Sequence, residues 1–259
     1  VIIFSFVQIK TTISHHILNI ASTDDTSTTK NKRFIIGTSA MSLSLLSAAK
    51  ERALLSLATV PSLHDWINVA IVTAVTTIIA GFVTTFSGFI DPTNDYDPPW
   101  RRGGDGSFLH WSLKPLSAFI FPSLFEEVIW RGALIAPHPS TLVAGGNTIA
   151  GTLSSPLMPR AGMVLGIHVL LHPVAGYTIW PRGKTVFGDW RFLSSATILL
   201  GGTTFSYIMS GGSAYAAAFT HGVGVALWRD FFGGEAKLLG RENELIDSES
   251  NEIEQIYIM

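Results

Sequence analysis

Residues 66–90, WINVAIVTAVTTIIAGFVTTFSGFI, contain no Asp, Glu, Lys or Arg. Wound as a helix rising about 1.5 Å per residue, such a run crosses the ~30 Å hydrocarbon core of a bilayer. Residues 161–181 and 192–228 are also free of these four residue types. The longer run can hold two spans, broken at Ser210-Gly211-Gly212-Ser213. Between Lys114 and Arg160 the only such charges are Glu126, Glu127 and Arg131. Lipid offers no water to backbone groups, so a helix that satisfies its own is the expected element. The expected fold is therefore all-α, a polytopic transmembrane bundle of about five or six helices. A soluble, very apolar helical domain is the alternative, because several segments are rich in Thr, Ser and Gly.

Composition narrows the function. Charged residues are 14% of the 259, against about 25% in ordinary soluble domains. That deficit argues against a soluble enzyme, a disordered chain or a nucleic-acid binder, which needs a basic patch. With no Cys there is no disulfide framework, thiolate metal site or Cys nucleophile.

Three regions follow. Residues 1–60 form an N-terminal segment, a linker or part of a targeting sequence. It is Ser/Thr-rich with Lys30, Lys32 and Arg33, although Asp24 and Asp25 count against a transit peptide. Opening on Val1 rather than Met, the chain reads as a fragment. Residues 34–49 are a weak helical candidate. Residues 61–235 form the membrane-embedded domain, and 236–259 a polar acidic tail. Helices are expected at about 64–90, with Ser62 as N-cap, then 115–135, 161–177, 191–209 and 213–232. Pro, Gly, Asn and Asp mark 91–106 as an aqueous loop, and 138–160 also reads as a loop. Trp100, Trp111 and Trp180 suit interfacial anchors. Lys and Arg show no asymmetry among the loops, so the positive-inside rule sets no orientation. An integral, multi-pass location is expected, in plastid or endoplasmic reticulum membranes among other organelles.

The residues that carry chemistry are those an apolar helix should not contain. A charge at a helix centre costs about 2.5–3.5 kcal/mol on insertion scales. Glu127 and Arg131 are four apart and can pair on one face. Glu126 points about 100° away and is left for other work. His168 and His172 share one face of the next apolar helix, and His221 sits on the last. Ionisable side chains on separate membrane helices tend to meet in the bundle interior. A carboxylate there can hold and deprotonate water, and an imidazole N–H can stabilise an oxyanion. The same atoms have a rival use, since His168, His172 and Glu126 could ligate zinc, but the HExxH signature is absent. His15, His16, His64, His110 and His138 are assigned nothing.

Glu126-Glu127-Val-Ile-Trp-Arg131 resembles the EExxxR motif of the CAAX prenyl protease and bacteriocin-processing (CPBP, or Abi) family of glutamate-type intramembrane proteases. HVLLHPVAGYTIWP resembles the family's second motif, with His172 at its His and His168 where Phe is usual. SYIMSGGSAYAAAFTHGVGVALWRDFFGG resembles the third, with His221 as its His. The likeness covers roughly residues 64–235. It implies an endopeptidase in which Glu126 activates water with help from His172, while His221 contributes to an oxyanion site. Glu127 and Arg131 would orient the site, supported by His168. It implies no cofactor and no metal. The partners would be the lipid bilayer and a membrane-associated peptide or protein substrate, prenylated ones included, with no nucleic acid. One position departs from the pattern: Val225 stands where many members have Asn or Asp. Losing one oxyanion donor typically costs about 10²–10³ in rate. A non-catalytic scaffold or immunity-type protein that retains the fold is thus the alternative. Small residues at Gly211, Gly212, Ala214, Ala218, Gly222 and Gly224 should let the last helix approach its neighbours closely.

Overall fold

In the computed structural model, the described residues are 29–93, 95–96, 116–135, 149–178 and 183–239. The chain divides into two units, residues 1–48 and 49–259. Among the described residues there is helix and no strand. Helix α1 spans Thr29–Ala58, and its residues from 49 onward belong to the second unit. The sequence reading found only a 16-residue stretch of it, because its charges interrupt the apolar pattern.

Helix α2, Leu63–Phe86, starts as expected at Ser62. Ser62 and Asp65 form a reciprocal capping box, with the Ser62 amide donating to Asp65 Oδ2 at 2.9 Å. It stops at Gly88, whose φ of +69° only glycine adopts without strain. Helix α3 covers 116–133. It is π-helical at Phe119–Leu124 and Val128–Ala133, with one α turn, Phe125–Glu127, between them. Phe121 leaves helical dihedrals just before Pro122, which has no amide to donate. Helix α4 is the short Ile149–Leu153, and α5 runs Met158–Thr178. Helix α6, Lys184–Phe187, leads to α7, Trp190–Met209. Asp189 caps α7, accepting from the Arg191 amide at 2.8 Å. Hydrogen bonds from the Arg191 guanidinium hold its carboxyl below the usual carboxylate range. The expected break lies at Gly211 and Gly212, both at positive φ. Helix α8, Ala214–Ala226, follows and continues as a π segment through Phe231. The last described element, α9, is Gly234–Leu239, which takes in the start of the polar tail expected at 236–259. Its Lys237 ammonium donates to the Phe89 carbonyl and to Asp95, each at 2.9 Å.

Among the described residues, three helices are long and apolar enough to cross a membrane: α2, α5 and α7. The expected count of five or six is therefore met only in part. Helix α3 breaks into short segments, and the α-helical part of α8 is 13 residues. Trp100, Trp111 and Trp180, most of the loop at 91–106 and residues 138–148 of the loop expected at 138–160 lie outside the described residues. The rest of that second stretch is not all loop, since 149–153 form α4 and α5 already starts at Met158.

Helix α7 packs chiefly on α2 and α8, and α8 packs on α3. Small residues set these approaches. A Cβ at Gly222 would stand 3.0 Å from the Phe119 Cα, and one at Gly202 would collide with the Thr76 side chain. A buried hydroxyl chain adds polar glue. Thr220 on α8 contacts Thr73 on α2 and Ser206 on α7, each at 2.9 Å.

Candidate functional site

Arg131 is the hub. Its side chain is fully buried and spends its donors on three helices. On its own helix, one turn earlier, Glu127 pairs with it at 3.0 Å. From α7, the Leu200 carbonyl accepts at 3.0 Å and Thr204 Oγ1 at 3.3 Å. From α5, His168 Nδ1 accepts at 2.9 Å. The expected Glu127–Arg131 pair is thus present.

That last contact fixes the chemistry of His168. Guanidinium only donates, so Nδ1 must hold a lone pair and the proton sits on Nε2. Nε2 in turn faces Glu126 Oε2 at 3.5 Å. His168 therefore offers its N–H to Glu126. Its ring also stacks on Trp130, with centroids 4.5 Å apart. The Glu126 side chain keeps 18% of its surface, whereas Glu127 keeps none. The two carboxylates do diverge as their helical phase requires, one enclosed and one reachable.

His221 on α8 completes the enclosed side. Its Nδ1 lies 2.8 Å from Glu127 Oε1, and a carboxylate accepts, so Nδ1 donates. His172 donates its Nδ1–H to the His168 carbonyl at 3.0 Å, which puts the lone pair of the neutral ring on Nε2. The two rings of α5 lie 5.4 Å apart. All six expected site residues thus gather around one point, although His172 joins through a backbone carbonyl. Among the described residues, no three His, Asp or Glu side chains meet as a metal-binding group.

A cavity of about 230 Å³ opens beside the two outer imidazoles. His172, His221 and Val225 line it, along with apolar and aromatic side chains. Glu126 and His168 do not line it. Val225 therefore stands in the wall one turn beyond His221, with no hydrogen to donate. Sequence reasoning missed Trp130, Thr204 and the Leu200 carbonyl. Trp130 had a signal, lying on the Glu126–Glu127 side of the helix one turn on, but the carbonyl had none.

No family model, curated protein or solved structure matches the chain.

Proposed function

We propose that the protein is a multi-pass membrane endopeptidase of the CPBP kind, cleaving a membrane-associated peptide through water held by Glu126. The observation that supports this most is the convergence of Glu126, Glu127 and Arg131 with His168 and His221 from two other helices. Keeping such groups in an apolar bundle is costly, and intramembrane ionisable residues mark function by default. Glu126 is the reachable carboxylate, with the His168 N–H steadying one oxygen. His172 and His221 present imidazoles to the neighbouring cavity. No acyl-enzyme is needed, in keeping with a chain without Cys.

A second reading has its own observation. Val225 occupies the cavity wall where a donor would strengthen an oxyanion site. A scaffold that keeps the fold without chemistry would carry such a residue at no loss.

Detergent-purified protein, offered a panel of membrane peptides that includes prenylated ones, separates the two. Cleavage should persist in a strong chelator and fall by about 10²–10⁴ in Glu126→Gln, as expected for loss of a general base. Loss on chelation would replace the water-activating carboxylate with a metal. Absence of cleavage by a folded wild type would establish the scaffold instead.

A further inference from the structure

The cavity beside the imidazoles has a definite shape. On α8 its wall is His221, Gly224, Val225 and Trp228, spaced as one helical stripe. On α2 it is Thr77, Ala80, Gly81 and Thr84, the same spacing on a facing helix. From His221 to Trp228 is seven residues, or about 10 Å along the axis. The far end is aromatic. Trp228 lies 5.4 Å from Phe192 and 6.5 Å from Phe89, ring centre to ring centre. Phe232 also lines this wall.

The wall offers a guest few polar atoms, but two of them are open: Thr77 Oγ1 and Trp228 Nε1 have no hydrogen-bond partner. Thr84 donates to the Ala80 and Gly81 carbonyls, and Ser195 to the Arg191 carbonyl. The Nδ1 atoms of both histidines are spent as described. What remains is a mainly apolar chamber with imidazoles at one end, the Thr77 hydroxyl on the α2 wall, and aromatic rings at the other end, among them the Trp228 indole with its N–H unpaired. A dry apolar cavity of roughly 150 Å³ is known to take benzene. This one, at about 230 Å³, has room for a larger ring. Rings in such a lining gain edge and offset contacts that an alkyl chain does not.

We propose that this cavity is a specificity subsite for one aromatic side chain, Phe or Trp in size, next to the bond to be cut, with Trp228 as its floor and Val225 and Gly224 setting its width. The assignment rests on the endopeptidase reading for the word "cut" but not for the binding. A guest ring on the Trp228 side leaves its backbone at the imidazole end. Gly224 is needed for the width, because a Cβ there would drive into the Leu199 side chain, itself part of the wall.

The test is binding by the full chain carrying Glu126→Gln, so that no probe is consumed. The probes are capped peptides Lys-Ala-X-Ala-Lys, with X as Ala, Leu, Phe or Trp. The Phe and Trp peptides should bind about tenfold tighter than the Ala peptide. They should also bind at least about threefold tighter than the Leu peptide. Val225→Phe fills the chamber and should bring all four within twofold. Trp228→Ala deepens it and should move the preference from Phe toward Trp, which keeps the proposal testable if the filled variant does not fold. Equal binding of all four peptides, Leu binding as tightly as Phe, or an unchanged ranking in Trp228→Ala would each overturn it. The wild type is assayed in parallel for cleavage. Aromatic-ranked binding without cleavage would sink the endopeptidase reading and leave the subsite standing.

Discussion

Helices α2 and α8 are both apolar, with Asp65 in the first turn of α2 the one Asp, Glu, Lys or Arg between them, and they do opposite jobs. Helix α2 turns Ile67, Ile71, Val75, Ile78 and Phe82 outward, and 22% of its apolar window is buried. Helix α8 buries Ala214, Ala216, Ala217, Ala218, Thr220, His221 and Gly222. The large apolar side chains lie outside and the small and polar ones inside. In water this would be inverted. In lipid, tails are as apolar as Leu, so close backbone approach and hydrogen bonds decide what goes inward.

The hardest test of that contrast is the charged cluster that α8 closes. Glu127→Ala strips a fully buried Arg131 and His221 of their shared carboxylate and should cost about 3–5 kcal/mol. Ile78→Ala on the outward face of α2 should stay within about 0.5 kcal/mol. Denaturant unfolding in detergent reads both, and comparable losses would break the contrast. Next in size is Gly222→Leu, which forces a branched side chain against the Phe119 backbone. Overpacking there should cost about 1–3 kcal/mol, or more, while Ile71→Leu leaves the melting temperature unchanged. The smallest effect separates the helix starts. Ser62 makes a capping box, so Ser62→Ala should cost about 1 kcal/mol. Ser213, buried at the start of α8, makes no capping bond and its hydroxyl has no hydrogen-bond partner. Thermal unfolding of Ser213→Ala should therefore show no loss.

How much of this was legible follows from what each signal depends on. The start of α2 at Ser62 and the glycine break before α8 were readable, because caps and left-handed turns are local, and the start of α7 near 191 followed from where the charge-free run begins. The Glu127–Arg131 pair was readable from a spacing of four. The meeting of His168 and His221 with that pair was expected from cost alone, since charges in an apolar helix need partners. Which histidine plays which part was not readable. That depends on Arg131 donating to His168 Nδ1, a contact across 37 residues of chain. The interruption of α3 was also hidden. Pro122 hints at it, but the π-helical segments on both sides of Glu126 lie where α3 packs against α8, a neighbour that the local sequence does not name. Gly222 was picked for its size, while its neighbour Phe119 could not be named from sequence.

The Arg131 hub has a consequence for how the protein is made. Synthesis runs from the N-terminus, so α3 emerges before α5, α7 and α8 exist. At that moment Glu126, Glu127 and Arg131 have only each other, and a charge without a partner resists burial in an apolar bundle. Every remaining partner is still to come: His168, the Leu200 carbonyl, Thr204 and His221 all lie downstream. Burial of this cluster is therefore begun early in synthesis and completed late, once the chain has emerged through His221.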